Sequence, residues 1–371
     1  MVTVIHFANK LTGTADGIFN TITAIVNGLA ENTNIRHVFV HDGYRDLTQS
    51  MSARGIEGRE IEGMQKKVPL RALYDFYRFA GQERVTHVHC HAVKPFLLAL
   101  LVGILLRYQI IFHHHGLYLN NEYYGKAEQF LYKTIIRLTS IVNRPLIAIT
   151  LSDWHKRKLL LETGAFSEVY SIPFGYVQSY KLILDEVTIK LLSLKSKGNI
   201  LLGYVGRLES EKRFDRAAAI FQQIKISIPA KLVVFGDGLL EAELRDRFAN
   251  TEDIIFMGYV PEVNKYIRLL QLVFLTSDRE GSPLVIWEAM ESGVPVLSTD
   301  VGGIGEWLYR CKCGLTFQKE NFGEGVNKLE TLLENHSFRV KLGSSGKKYM
   351  KESNHFTHYI KCIEEIYMKK S

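Results

Sequence analysis

Cysteine is scarce in this sequence, four among 371 residues. Cys90, Cys311, Cys313 and Cys362 form neither paired Cys-x-x-Cys sites nor a disulfide ladder. Cys311-x-Cys313 is a weak metal hint, outweighed by two ordinary thiols, and a reducing compartment is expected. Long apolar runs are also missing. The strongest, residues 96–106, is well below the ~20 residues that cross a bilayer and reads as a buried helix. No secretory signal is expected at the start of this sequence: Val2-Thr-Val-Ile-His-Phe is short, lacks a basic flank and reads as a first buried strand. The chain is expected to be cytoplasmic, with attachment to the inner face of a membrane left open. Charge of one sign is not in marked excess, the net being +7. Such a balance fits an anionic small molecule, a membrane surface or a nucleic acid, and selects none of them. Lys156-Arg157-Lys158 and Lys347-Lys348 are too short for a nucleic-acid patch and read as solvated helix faces.

What is present is the composition of a globular protein, 46% apolar and 23% charged, long enough for two cores. Residues 1–180 hold 19 Lys/Arg against 14 Asp/Glu and ten of the thirteen histidines. Strand-like and helix-like stretches alternate. Strands are expected at 2–7, 38–41, 85–90, 110–113 and 146–150, with helices at 18–29, 96–106 and 130–142. The alternation restarts with strands at 200–205, 231–235, 254–257, 272–276 and 294–298. Helices are expected there at 213–226, 240–249, 263–270 and 283–292. This pattern means βαβ units and parallel sheets, hence two successive doubly wound α/β domains. Residues 1–177 form the first and 178–355 the second. An amphipathic helix over 356–371 is expected to pack back on the first. Sites in such folds lie at the carboxyl ends of strands.

The most informative stretch is Ser277-Asp-Arg-Glu280-Gly281-Ser282-Pro283-Leu284-Val-Ile-Trp-Glu288. A strand runs into a polar loop and a helix that Ser282 can cap, with Pro283 at its first position. Free N–H groups at such a start suit a diphosphate. A capped helix bearing two surface glutamates is an equally good account on spacing alone. Gly203-Tyr-Val-Gly206-Arg207-Leu-Glu-Ser-Glu-Lys212 ends a strand in glycine and adds two cations, a fork and a point charge for a diphosphate; alone it is weak. Phe235-Gly236-Asp-Gly238 reads equally as a plain turn. His113-His114-His115 suggests metal, but consecutive strand residues alternate sides and cannot converge on one ion. No metal is expected, since no suitable loop carries Asp-x-Asp.

Glu280-x7-Glu288, with Gly-x-Pro inside it and Glu288-Ala-Met-x-x-Gly293-x-Pro295 and Gly302-Gly303 after it, resembles the retaining glycosyltransferase family four. The resemblance covers nearly the whole chain, strongly over 200–310 and loosely before 120. It implies the GT-B fold, two Rossmann-like domains facing across a cleft. It implies a nucleotide-sugar donor, a glycan or lipid-linked acceptor, no cofactor and no nucleic acid. Glu280 would face the donor sugar and Glu288 hold the ribose, with Gly281, Ser282, Pro283 and Leu284 beside the phosphates. Arg207 and Lys212 would stabilise the leaving group. Gly206, Gly236 and Tyr259 would lie near the nucleotide. His115 maps onto a histidine that faces the reacting carbon. Lys10-Leu-Thr-Gly13-Thr-Ala-Asp16-Gly17 stands where the family has a Gly-Gly loop near the donor phosphate, which puts Gly17 there. Gly13, Asp16 and His91 fall on the acceptor side. The expected activity is metal-independent transfer in surface-polysaccharide synthesis. A sugar-nucleotide epimerase of the same fold and a non-catalytic scaffold are the alternatives.

Overall fold

The computed structural model describes the chain except residues 10–16, 43–55, 65, 67–68, 116–124, 144, 173–182, 282, 354 and 370–371. The chain divides into two compact units, Met1–Gly175 with Phe356–Ser371, and Tyr176–His355. Every strand pairing in both sheets is parallel.

The first unit has strands β1 (Val2–Phe7), β2 (Ile35–His41), β3 (Glu57–Glu60), β4 (His87–Cys90), β5 (Gln109–His114), β6 (Ile147–Thr150) and β7 (Glu168–Ser171). Its helices are α1 (Gly17–Gly28), α2 (Leu70–Gln82), α3 (Val93–Leu106), α4 (Lys126–Val142) and α5 (Asp153–Thr163). The sheet order is β3-β2-β1-β4-β5-β6-β7, so the winding reverses between β1 and β4. Side chains alternate across a strand, and the two faces of this sheet differ in chemistry. Ile5, Phe7, Val38, Val40, Val88, Cys90, Ile110 and Phe112 face one apolar core with α2 and α3. The opposite face carries His6, His37, His89, His91 and His113, whose rings lie against one another. Apolar α3 is enclosed through most of its length, and Arg107 in the left-handed region ends it (φ 54°).

In the second unit the strands are β8 (Ile200–Val205), β9 (Ala230–Phe235), β10 (Ile254–Gly258), β11 (Leu272–Leu275), β12 (Val296–Thr299) and β13 (Gly314–Phe317). Its helices are α6 (Glu186–Ser196), α7 (Phe214–Gln223), α8 (Glu241–Arg247), α9 (Asn264–Ile267), α10 (Leu284–Ser292), α11 (Ile304–Cys311), α12 (Phe322–Glu334) and α13 (His336–Ser353). The order β10-β9-β8-β11-β12-β13 is that of a dinucleotide-binding sheet, with its reversal between β8 and β11. Both faces are apolar. Leu201, Val233, Val273 and Val296 enter one core, and Leu202, Val234, Phe274 and Leu297 the other. Parallel strands covered on both sides read as continuous apolar runs, which is why this half is the plainer in sequence.

The last helix, α14 (His355–Met368), packs on the first unit. Ile360 fills the space over Gly28, where an added Cβ would lie 2.5 Å from it. Asn32 donates to Glu364 at 2.6 Å, and the Tyr367 hydroxyl lies 2.5 Å from His89 Nδ1.

Candidate functional site

The loops after β8 and β11 diverge at the sheet's reversal, and the key residues lie there. Lys212 Nζ donates to both Glu280 carboxylate oxygens, at 2.8 and 2.9 Å. The Ser277 hydroxyl donates to Glu280 Oε1 at 2.6 Å. Glu280 is thus nearly enclosed, 8% exposed, while Lys212 keeps 20%. Family resemblance assigns these residues to different parts of a donor; in the structure they hold each other.

The Glu280 loop is pinned from beneath by residues the motif reading passed over. Buried Arg216 donates to the Thr276 carbonyl at 2.6 Å and to Asp278 at 2.7 Å. Arg213 reaches Asp278 at 3.2 Å and Asp215 at 2.8 Å. The two guanidiniums hold the Asp278 carboxyl below its usual range against the opposing pull of burial. The pattern Lys212-Arg213-x-x-Arg216 facing Asp278 was visible in sequence, but nothing in its spacing says that the cations turn inward.

Glycine is required where these loops touch. Gly236 has φ +133°, and a Cβ there would come within 2.1 Å of the Gly206 carbonyl oxygen. At Gly302, with φ +61°, a Cβ would lie 2.2 Å from the Glu280 carbonyl oxygen. Backbones packed this closely leave side chains no room. Gly206, Gly236 and Tyr259 therefore sit at or just beyond the carboxyl ends of β8, β9 and β10, in line with Glu280 after β11. Tyr259 is 58% exposed. Arg207 is exposed and paired with Glu209 at 2.7 Å and Glu211 at 3.1 Å.

Helix α10 begins one residue later than expected. Pro283 holds the cap position (φ −64°, ψ 122°), makes no side-chain cap bond, and Leu284 opens the helix beside Gly281. The ring fixes φ but its extended ψ keeps it outside the helical turn. Ser282, expected as the cap, lies outside the described residues, as do Gly13 and Asp16; Gly17 is the first residue of α1. Glu288 is half-buried in α10, a helix whose Val285, Ile286, Trp287 and Ala289 are buried, and burial pushes its carboxyl up to about 7.

In the first unit His91 and His115 follow β4 and β5. His91 is 1% exposed, and its nitrogens lie 3.2 Å from His6 and 3.1 Å from His115. His115 is half-buried, and burial lowers it to about 4. The alternation argument holds for His114, which lies on the other side against Phe112 and His155. It did not anticipate that neighbouring strands would bring His6, His37, His87, His89, His91, His113 and His115 onto one face. A separate groove of about 430 Å³ beside β3 and α2, with Arg59, Arg71 and Arg78 facing Glu60, Glu62 and Asp75, contains none of the candidate residues.

Two parallel α/β units with loops of this kind define the GT-B class. Residues 15–176 match the Glycosyltransferase Family 4 model and residues 189–349 match Glycosyl transferases group 1. The chain belongs to this glycosyltransferase family. It is 24% identical over 231 residues to the capsular polysaccharide biosynthesis glycosyltransferase CapM of Staphylococcus aureus, covering 60% of this chain and 58% of CapM. The O-antigen biosynthesis glycosyltransferase WbnH of Escherichia coli is 22% identical over 330 residues, 88% of this chain and 90% of that protein. Two other relatives are spanned over only 46% and 36% of their lengths. Among solved structures, Anabaena HepE in complex with UDP and glucose superposes with a TM-score of 0.79 at 16% identity, covering 99% of each chain.

Proposed function

We propose that the protein transfers a hexosyl group from a nucleoside-diphosphate sugar to a glycan or lipid-linked glycan acceptor in surface-polysaccharide synthesis. The transfer would retain anomeric configuration and need no metal. The observation that carries this reading is the Lys212–Glu280 pair at the reversal between β8 and β11. An arriving diphosphate competes for Lys212, and Glu280 is then released towards the sugar hydroxyls. Lys212, Arg207 and the opening N–H groups of α10 would carry the leaving group's charge, the work that a divalent ion does elsewhere. Retention rests on the family, and the acceptor class on the names of CapM and WbnH. Four free cysteines suit a cytoplasmic setting.

The test is a screen of UDP-, GDP- and ADP-sugars for nucleotide release, with and without candidate acceptors. No release from any donor sinks the reading, release without a new glycosidic bond points to an epimerase, and loss of activity in EDTA overturns the metal-free part. Glu288 adds a pH signature. A carboxylate accepts two ribose O–H bonds, and its protonated form does so poorly. Donor KM is expected to rise as pH falls below about 7, by up to tenfold per unit, and Glu288→Gln is expected to remove that dependence. A KM flat from pH 8 to 6 contradicts the assignment.

No helix among the described residues is long and apolar enough to cross a membrane. Helix α4 nonetheless exposes Phe130, Leu131, Leu138, Ile141 and Val142, with Lys126 and Arg137 also exposed on it. An apolar stripe flanked by cations fits an anionic lipid surface. Co-sedimentation with phosphatidylglycerol vesicles is expected and should fall at least fivefold in Phe130→Ser/Ile141→Ser. Equal binding by that variant contradicts this placement.

A further inference from the structure

The histidines on the sheet of the first unit form two hydrogen-bonded rows. In one, His37 Nδ1 lies 3.0 Å from His6 Nε2, His6 Nδ1 lies 3.2 Å from His91 Nε2, and His91 Nδ1 lies 3.1 Å from His115 Nε2. The row climbs the sheet diagonally. His37 pairs in register with Val4, two residues before His6, and His6 pairs with His89, two before His91. Ring planes along it are inclined by only 27° to 28°, with centroids 5.2 to 5.5 Å apart. That is the spacing of rings joined edge to edge. A second row runs from Tyr367 through His89 to His113. It stacks face to face on the first, His89 over His91 at 4.4 Å and His113 over His115 at 4.3 Å.

A metal ion does not suit this cluster, although His6, His89 and His91, and also His91, His113 and His115, bring nitrogens within 4.8 Å of one another. Each set includes one face-stacked pair. The lone pairs of stacked imidazoles lie in parallel planes and cannot meet on one ion at ~2 Å. The edge-to-edge contacts, by contrast, each need one proton between two nitrogens.

We infer that the row His37–His6–His91–His115 holds His115 as a neutral hydrogen-bond donor with its proton on Nδ1, and that His6, His37 and His91 are positioning residues for it. A neutral imidazole has one N–H and one bare nitrogen, so all protons in the row point the same way. The direction is set at the closed end. His37 Nε2 is buried with no partner among the described residues. A buried N–H with no acceptor is the rarer, costlier orphan, so that nitrogen is bare and the proton sits on Nδ1. His37 then donates to His6, His6 to His91, and His91 to His115 Nε2. His115 keeps its proton on Nδ1, and its Nε2 lone pair is already used. It therefore offers a hydrogen bond to an oxygen and does not act as a base. Burial keeps every ring in the row neutral, each being depressed below its ordinary value. The oxygen it serves rests on the proposed function, where the resemblance gives it the donor sugar; the tautomer does not.

The test uses the full chain labelled with nitrogen-15 at histidine, read by long-range proton–nitrogen spectra at pH 7.5, with His115→Gln assigning the ring. His115 is expected as a single Nδ1–H tautomer. An Nε2–H form, an average of the two, or an imidazolium overturns the inference. His91→Phe removes the donor and should release His115 into a mixture of tautomers. His91→Asn, whose amide places an N–H near the position of Nδ1, should restore one. A His91→Phe spectrum identical to wild type at His115 also overturns it, and where that variant does not fold, the wild-type spectrum decides. Once a donor is known, kcat should fall about fivefold to tenfold in His91→Phe, the worth of one hydrogen bond, and recover in His91→Asn. Absence of transferase activity would sink the proposed function and leave the spectra as the judge of the tautomer.

Discussion

Acidification from pH 7 to 5 is expected to unfold the histidine-bearing unit, with a steeper pH dependence than one or two titrating groups can give. Burial holds His37, His115 and His155 at about 4 and His114 at about 3, against about 6.5 in an unfolded chain. With folded values depressed, the unfolded state binds more protons through the whole window between about 6.5 and 4. Stability is fully present above 6.5 and lost as pH falls through that window. Each histidine costs about 1.4 kcal/mol per pH unit there, or about 2 kcal/mol from pH 7 to 5. The four together reach about 8 kcal/mol, comparable to the whole stability of an ordinary domain. His6, His89, His91 and His113 are lowered by the same burial and add to it. Urea titrations at half-unit steps from pH 7.5 to 5.5, followed by the fluorescence of Trp154, count the protons directly. A slope of four or more protons is expected between pH 6.5 and 5.5, and a slope of one or less would refute the neutral, buried cluster.

This cluster shows where sequence reading stopped. The central strands were legible because each is an apolar run in a two-sided parallel sheet, and β1 and β8 fall on their expected residues. The edge strands were not. Glu57-Gly-Arg-Glu of β3 is polar on both faces, because one flank of an edge strand meets water. Helix α13 lacks the clear apolar spacing that marked α1, whereas α12 carries it at Val326, Leu329, Leu332 and Leu333 and was passed over. In the candidate site, Glu280, Lys212 and the glycines were legible because loop chemistry is local: a glycine, a cation and a carboxylate after a strand already limit the options. The histidine rows were not, since His6, His37, His91 and His115 are distant in sequence and meet only through the register of four strands. Counting ten histidines in one half was the available signal, and local spacing could not turn it into geometry.

Lys212→Ala and Glu280→Gln are expected to have the largest effects on turnover, and they divide the two roles open to Glu280. Removing Lys212 deletes the one cation among the described residues that lies directly on the Glu280 carboxylate at the sheet's reversal. Loss of a preorganised group that stabilises charge in the transition state costs about 10²- to 10³-fold in kcat. Glu280→Gln keeps the shape and a carbonyl oxygen for Ser277 and for sugar hydroxyls, and removes only the charge. If Glu280 binds hydroxyls alone, the loss should be about tenfold and fall mainly on KM. If it steadies positive charge at the anomeric carbon, the loss should approach that of Lys212→Ala and fall on kcat. The fold should survive both changes: Lys212 keeps access to water when unpaired, and the neutral amide needs no counter-ion. Near-ultraviolet signals from Trp287 and Trp307, which pack together at 5.2 Å beside this loop, check that. Because the two side chains share hydrogen bonds, the double variant should be less impaired than the product of the single losses. Multiplicative losses would mean that the pair does not act as a unit, and undiminished turnover in either single variant would remove it from the mechanism.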